Sequence, residues 1–319
     1  MRKILSITLI IALTMSLLTG CYIEVNDTSK ATQKIKIGVC VSDVNDRFTS
    51  YLLDEMKNYS KSLDDVEVEY VDSKHDSNIE LSNVKELISK GVDVIVVRPV
   101  DTDSSKPVTD IAKRSKIPII SIGTPFENPD DSSCYISSDS KQAAILEMEY
   151  LSKKMNFKGN VAIMMGTMGQ EAERLRTQGF REVIAKYSNM KIVAEQTAEW
   201  DMSKGMALME SWLESGKEIN VVASSNSEMA IGALTAIKAA GKHDKISVGG
   251  IDATPEALNY LKSGDLAVLI FQNAVLQARC AIDTAVKIAK GENVEKIVVF
   301  PNELVVPEDV DKYIAKLKK

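Results

Sequence analysis

The chain has 319 residues, of which 45% are hydrophobic and 26% are charged, so it is long enough to bury the cores of one large or two medium domains. Its 39 lysines and arginines stand against 45 acidic residues, and the net charge of −6 argues against nucleic acid and anionic lipid surfaces as partners. Besides Cys21 there are three cysteines, Cys40, Cys134 and Cys280, without C-x-x-C spacing. No disulfide framework is therefore expected, and packing alone must hold the fold.

The first 20 residues have the pattern of a secretory signal. Arg2 and Lys3 precede an apolar run over residues 4–18, which is too short to span a membrane comfortably and ends in small residues. An ordinary cleaved signal and, less favoured, a membrane-spanning helix are the alternatives to the lipoprotein signal considered next.

Leu18-Thr19-Gly20-Cys21 closes this run and resembles the lipobox of bacterial lipoproteins. The resemblance implies cleavage after residue 20, with a diacylglycerol or palmitate-type lipid carried by Cys21. The polar residues of 21–34 predict a tether. We therefore expect an extracytoplasmic protein that is attached to the cell membrane only through its lipidated Cys21.

The remainder of the chain alternates short β-branched runs with longer amphipathic stretches, a pattern that predicts parallel βαβ units in an α/β fold. Strands are predicted over 35–41, 66–71, 92–97, 118–122, 160–165, 191–197, 220–224, 246–250 and 267–271. Helical periodicity covers stretches such as 79–89, 142–154, 174–186, 203–213, 228–240 and 275–290. Nine or more strands exceed what one sheet usually carries, so two doubly wound lobes are favoured over one.

Polar side chains, with an occasional aromatic, follow nearly every predicted strand. Examples are Asp46 and Phe48 after the first strand, Trp200 after the sixth and Asp252 after the eighth. Ligands of open α/β sheets bind at the carboxyl ends of the strands. Carboxylates, amides and guanidinium groups pair with hydroxyls, and aromatic planes pack on the C–H face of a sugar ring, so the pattern predicts a sugar site.

At this point the chain resembles the type I periplasmic binding proteins of ABC transporters, in the ribose and galactose/glucose branch. The segments that carry the resemblance are GIDATPEAL at 250–258, NSEMAIGAL at 226–234 and TAEWD at 197–201. The resemblance extends from about residue 35 to the C-terminus. It implies two Rossmann-like lobes, 35–137 with 273–301 and 138–272 with 302–319, joined by a three-segment hinge.

The resemblance also implies a set of ligand-binding residues. Phe48 and Trp200 would stack on opposite faces of a sugar or polyol, and Arg174 would clamp its oxygens. The other positions implied to contact the ligand are Asp46, Asn226, Asp252 and Gln272. Taken alone, Phe48 is more often a core aromatic and Asp252 a helix N-cap. No cofactor and no metal are expected, since the calcium loop of the galactose branch has no counterpart here.

One departure from the family pattern concerns the fourth strand. Family members commonly place Asp or Asn followed by Arg or Lys after it, whereas this chain has Gly123 and Thr124. Arg98, at the end of the neighbouring strand, could supply the missing charge and contact a group that ribose and galactose lack, such as a carboxylate, a phosphate or an extra hydroxyl of a polyol. Alternatively, it could pair with Asp101 as part of the structure. We include Arg98 and Thr124 among the candidate ligand-binding residues.

An enzyme is the principal rival interpretation. The chain lacks G-x-S-x-G, H-E-x-x-H, a P-loop and G-x-G-x-x-G, so no catalysis is expected. A third interpretation keeps the fold but makes the chain a ligand-sensing lipoprotein that signals to a receptor or sensor kinase. The favoured reading is a monomeric binding protein that delivers a monosaccharide or related polyol to an ABC permease.

Overall fold

The architecture was determined from a computed structural model, which describes residues 34–317. The predicted signal (1–20), Cys21 and all but the last residue of the predicted tether lie outside this part of the chain. Within 34–317, no helix combines the length and apolar character needed to cross a membrane.

Residues 34–317 form twelve strands and ten α-helices. The strands are β1 (Ile35–Val41), β2 (Val66–Asp72), β3 (Val94–Val97), β4 (Ile119–Ile122), β5 (Cys134–Ser138), β6 (Gly159–Met165), β7 (Met190–Thr197), β8 (Val221–Ser224), β9 (Ser247–Asp252), β10 (Val268–Phe271), β11 (Ile297–Phe300) and β12 (Glu303–Val305). The helices are α1 (Arg47–Ser60), α2 (Ser77–Ser89), α3 (Lys106–Ser115), α4 (Ser140–Lys154), α5 (Glu171–Ile184), α6 (Met202–Glu214), α7 (Ser227–Ala239), α8 (Pro255–Lys262), α9 (Ala274–Ala289) and α10 (Val310–Leu317).

The strands assemble into two six-stranded sheets with related strand orders. The first sheet has the order β11-β5-β4-β3-β1-β2, and all of its pairings are parallel. The second has the order β12-β10-β9-β8-β6-β7 and is parallel except for the antiparallel pair of β10 and β12. The predicted α/β class with doubly wound parallel sheets is confirmed.

The nine predicted strands all form, with ends that differ by no more than two residues. Three further strands, β5, β11 and β12, were not predicted. In β5 the segment Cys134–Ser138 contains two serines, and in β11 alternate residues are exposed because it lies at the edge of its sheet. The serines of β5 interrupt the apolar pattern that identified the central strands. The strand β11 is apolar throughout, so its composition does not explain why it was not predicted.

Each sheet is covered by helices on both faces, which explains the apolar runs. In β1, Ile37, Val39 and Val41 pack toward α1 and α9, while Cys40 belongs to the cluster that includes residues of α2 and α3. In the second sheet, α4 and α5 cover one face and α6, α7 and α8 the other. Strands buried on both faces cannot alternate polar and apolar residues.

The chain passes from one sheet to the other three times. It leaves the first sheet after β5, returns after β10 and leaves again between β11 and β12. The Ser138 hydroxyl donates a hydrogen bond to the side-chain oxygen Oε1 of Gln272, and this bond joins the first two crossings. The Asn302 amide donates to the Asp139 carbonyl at 2.7 Å and so ties the third crossing to the first.

Candidate functional site

The carboxyl ends of β1–β10 face a cavity of about 330 Å³ between the two sheets, at the small end of the range for small-molecule sites. Each of the ten strands brings at least one lining residue. The cavity is lined by Ser42, Asp43, Asn45, Asp46, Phe48, His75, Arg98, Gly123, Thr124, Ser137, Ser140, Thr167, Gln170, Ala172, Arg176, Glu199, Trp200, Asp201, Lys204, Asn226, Asp252, Gln272 and Gln277. Eight of the nine predicted ligand-binding residues are among them.

Two aromatic side chains, one from each sheet, lie on the cavity wall. Phe48 opens α1 and is only 8% exposed, so it belongs both to the first core and to the cavity surface. Trp200 follows β7 and has a left-handed backbone with φ +65°, next to Glu199 with φ +53°. Consecutive non-glycine residues in this region are strained, and such strain is often found at binding sites.

The Trp200 ring rests on the backbone of Gly166 at the end of β6. A Cβ atom at position 166 would overlap the six-membered ring of the indole. The Asn226 amide fixes the other side of Trp200, since its Nδ2 donates to the Trp200 carbonyl at 3.0 Å. The ring is therefore held in one position by residues of two neighbouring strands.

Arg176, Asp252 and Gln272 form a buried polar network on the second sheet's side of the cavity. Arg176 Nη1 lies 3.8 Å from Asp252 Oδ1, and Gln272 Nε2 donates to the same oxygen. Burial raises the pKa of Asp252 to about 6, although Arg176 acts in the opposite direction. Asp252 Oδ2 has no hydrogen-bond partner among residues 34–317, so it is available to a ligand hydroxyl.

Asp252 is not a helix N-cap, which was the alternative reading of its position. The N-cap of α8 is Thr254, whose side chain accepts from the Ala257 amide. Asp252 itself has φ +95° and Ala253 has φ +51°, so the end of β9 is a second strained segment at the cavity. The polar contacts of Asp252 are all directed to the site.

Asp46 and Asn226 combine two functions because each caps a helix and also lines the cavity. Asp46 Oδ1 accepts from the Thr49 amide at 2.7 Å, and Asn226 Oδ1 accepts from the Met229 amide at 2.9 Å. The second carboxylate oxygen of Asp46 makes no hydrogen bond within the described chain. Because the capping bonds fix both side chains, Asp46 Oδ2 and Asn226 Nδ2 are held in place at the cavity.

Arg98 and Gly123 pack directly against each other. Gly123 has φ +74°, and a Cβ at this position would overlap Arg98 Nη1. The guanidinium carbon of Arg98 lies 5.6 Å from the centre of the Phe48 ring, and its buried Nε has no hydrogen-bond partner among the described residues. The guanidinium thus occupies the space that a side chain at position 123 would need.

Arg98 is not paired with Asp101, so that structural interpretation of Arg98 is wrong. Asp101 instead accepts from the Ser104 amide and hydroxyl, each at 2.7 Å. In the described part of the chain, no carboxylate lies within ion-pair distance of Arg98. Its donors remain available to a ligand, with Thr124 beside it on the same wall.

Arg174 is the predicted site residue that does not line the cavity. It is exposed on α5, whereas Arg176, two residues later, is only 6% exposed and lies over the Trp200 ring at 5.5 Å. Residues two apart on a helix point about 200° apart, so only one of these arginines can face the site. Arg176 lies on the same helical face as the buried residues Phe180 and Val183, and this periodicity was the signal in the sequence.

Three lining amides, Asn45, Gln170 and Gln277, were also not predicted. Gln277 lies one turn into α9 and is 1% exposed, and within the described part of the chain its Nε2 has no hydrogen-bond partner. It lies inside the helix that follows β10 and not at the strand end itself, so the strand-end pattern gave no signal for it. Among residues 34–317, no group of three or more His, Cys, Asp or Glu side chains is arranged to hold a metal ion.

Comparison with known proteins places this cleft in a family context. Residues 37–293 match the family model described as a periplasmic binding protein domain. An ABC transporter solute binding protein from Bacillus halodurans, solved with bound myo-inositol, superimposes with a TM-score of 0.86 at 41% identity, covering 89% of this chain and 98% of that one. A xylitol-binding protein from Mycolicibacterium smegmatis is 32% identical, covering 92% of this chain and 83% of the relative. The ribose import binding protein of Bacillus subtilis is 29% identical, covering 95% and 99% respectively.

Proposed function

Because the chain belongs to the periplasmic binding protein family, we propose that it is the solute-binding component of an ABC transporter and captures a neutral monosaccharide or polyol. The symmetry of the cleft carries this proposal. Phe48 with Arg98 and Trp200 with Arg176 form two aromatic–arginine pairs, one from each sheet. An aspartate accompanies each pair, namely Asp46 on the first side and Asp252 on the second.

Such a site suits a ring that carries many hydroxyl groups. A carboxylate accepts a hydrogen bond from a hydroxyl and a guanidinium donates one to it. Each wall can therefore pair with a ligand hydroxyl both as a donor and as an acceptor. Around the two rings, two arginines are matched by two aspartates, and the rest of the lining adds Asp43, Glu199 and Asp201 against Lys204. The wall therefore has no excess of positive charge that would favour an anionic ligand. The relatives that bind myo-inositol, xylitol and ribose support this ligand class.

The ligand contacts that we propose follow from the cavity lining. The rings of Phe48 and Trp200 would cover the two faces of the ligand. Its hydroxyls would bond to Asp46, Arg98, Thr124, Arg176, Asn226, Asp252 and Gln272. Closure about the three chain crossings, between lobes 35–137 with 273–301 and 138–272 with 302–319, would exclude water from these bonds.

A thermal-shift screen of residues 34–319 tests the ligand class. D-ribose, D-galactose, xylitol, myo-inositol and D-galacturonate form the panel, with the last as the charged counterpart of a hexose. A ligand at a hundred times its dissociation constant adds about 2.7 kcal/mol to the free energy of unfolding. We expect at least one neutral member to raise the melting temperature, with calorimetry to confirm it. No response to any neutral member, or a response to D-galacturonate alone, would contradict the proposal.

A second measurement locates the ligand. The chain has two tryptophans, and Trp212 is buried on α6, away from the cavity lining. Binding should therefore change the indole fluorescence through Trp200. Trp212→Phe should keep this change and Trp200→Phe should lose it. The opposite assignment of the signal would place the ligand elsewhere.

We also propose that the protein is a lipoprotein that works with an ABC permease from the outer face of the cell membrane. The lipobox-like segment ending at Cys21 supports the anchor. Radiolabelled palmitate given to the native host should label the wild type, and Cys21→Ala should lose both the label and membrane retention. An unlabelled, fully released wild type would disprove the anchor and leave the ligand proposal intact.

A further inference from the structure

The Gln170 side chain forms a hydrogen-bonded bridge across the cleft. Its Oε1 accepts from Trp200 Nε1 at 2.6 Å, and its Nε2 donates to the Val100 carbonyl oxygen at 3.0 Å. Gln170 precedes α5 and Trp200 follows β7, so both belong to the second sheet's side. Val100 follows β3 of the first sheet. One amide therefore touches a cavity aromatic and the opposite wall at the same time.

The chemistry of the two partners explains why this residue is a glutamine. An indole N–H can only donate, and a backbone carbonyl can only accept. A side chain that lies between them must accept at one atom and donate at another, which a primary amide does and a carboxylate, ammonium or guanidinium does not. Asparagine has the same groups but is one methylene shorter.

Both ends of the bridge are held by other residues. The Val100 amide donates to Oε2 of Glu80 at 2.7 Å, and Glu80 is completely buried beneath the loop after β3. At the other end, the Trp200 ring rests on Gly166 and its carbonyl accepts from Asn226. The bridge thus connects two rigid supports and does not link two loose loops.

We propose that Gln170 is a positioning residue that couples a ligand on Trp200 to closure of the cleft, an inference that rests on the proposed function. The indole, held on Gly166, donates to Gln170 Oε1 and so turns the amide until its NH₂ group points to Val100, and a ligand stacked on Trp200 adds to this restraint. Closure then completes the second hydrogen bond. The ligand is retained by a bond that it does not itself make.

Glu171, the residue after Gln170, makes a weaker contact across the same cleft. Tyr135 Oη lies 3.4 Å from Glu171 Oε2, at the outer limit of a hydrogen bond. Neither residue touches Trp200, so this contact does not report on the ligand. In this proposal, Gln170 connects ligand stacking on Trp200 to closure of the cleft.

Gln170→Glu separates the two halves of the bridge. The carboxylate still accepts from the indole, but its second oxygen faces the Val100 carbonyl and cannot donate. Gln170→Ala removes both bonds. Gln178→Glu is the matched control, since it makes the same chemical change at an exposed position of α5, the helix that Gln170 precedes.

Calorimetry with the tightest-binding neutral member of the panel gives the affinity, and solution scattering gives the radius of gyration with and without that ligand. The loss of one net hydrogen bond corresponds to a roughly three- to tenfold weaker affinity. We expect at least this loss for Gln170→Glu and Gln170→Ala, with incomplete compaction at saturation. Gln178→Glu should match the wild type.

The indole N–H resonance of Trp200, assigned through Trp200→Phe, follows the other half of the bridge. It should keep its wild-type position in Gln170→Glu and move in Gln170→Ala, with or without ligand. A wild type that binds no panel member would refute the proposed function. Wild-type affinity and compaction in Gln170→Glu, or an indole resonance unmoved in Gln170→Ala, would refute the coupling while leaving the function intact.

Discussion

The contact between Arg98 and Gly123 allows a quantitative test of how the site obtains its positive charge. We expect Gly123→Ala to displace the Arg98 guanidinium, because the new Cβ would overlap Nη1. The left-handed backbone of Gly123 adds a separate cost of about 1–2 kcal/mol to the free energy of folding for any residue with a Cβ. The substitution should therefore reduce both stability and ligand affinity.

The two effects can be separated by a control and by a double mutant. Gly264 has φ +79° and open space around its Cβ position, so Gly264→Ala pays the backbone cost without a collision. We expect similar destabilisation in Gly123→Ala and Gly264→Ala, seen in chemical denaturation. Only Gly123→Ala should bind the ligand less well.

The size of the affinity loss follows from the hydrogen bonds of Arg98. A hydrogen bond to a charged group contributes about 1.5–3 kcal/mol, which corresponds to a roughly 10- to 150-fold change in the dissociation constant. Calorimetry of Arg98→Ala, Gly123→Ala and the double variant completes a thermodynamic cycle. Because both single changes remove the same guanidinium, the double variant should bind no worse than Arg98→Ala. Wild-type affinity in Gly123→Ala, or fully additive losses, would refute the reasoning.

Three further predictions concern titration and arginine placement. Burial raises the pKa of Asp252 to about 6. Because the proposed ligand binds the ionised carboxylate of Asp252, its affinity should fall below pH 6, approaching a tenfold loss per pH unit. In calorimetry, Asp252→Asn should abolish this pH dependence of the affinity. Burial also raises the pKa of Glu80 from its ordinary value of 4.5 to about 8. The contribution of Glu80 to the free energy of unfolding is therefore complete below pH 4.5 and is lost as the pH rises to about 8. Denaturation of Glu80→Gln should show a shallower loss over this range, and parallel profiles would contradict it. Arg176→Lys should weaken binding at least tenfold while Arg174→Ala stays within about twofold of the wild type; equal losses would reverse the assignment.

Much of the fold was predictable because its strands are short, apolar and buried on both faces. The run Val94–Val97 contains only β-branched residues and has no exposed position. The strand β5 escaped notice because it contains Ser137 and Ser138, which serve the cavity and the chain crossing. Local composition identified the apolar strands at the centre of each sheet, but not β5, in which two polar residues interrupt the apolar pattern.

The candidate site was predictable to the level of strand ends but not of side-chain direction. Asp46 and Trp200 follow strands and line the cavity as expected. The choice between Arg174 and Arg176 required the arginines to be matched to the buried face of α5, which Phe180 and Val183 mark, because residues two apart on a helix face nearly opposite directions. The fit of Arg98 onto Gly123 depends on the distance between two adjacent strands, which no one-dimensional pattern contains.

The hydrogen bond between Ser138 and Gln272 has a consequence for engineering fluorescent biosensors from this protein. Gln272 lines the cavity and bonds to Asp252, yet it also joins two of the three chain crossings. A substitution of Gln272 that changes ligand binding will therefore also change the contact between the two crossings, and with it the signal of the sensor in the absence of analyte. Selectivity is better adjusted at Thr124, which lines the cavity and, within the described chain, makes no hydrogen bond to the residues of the crossings.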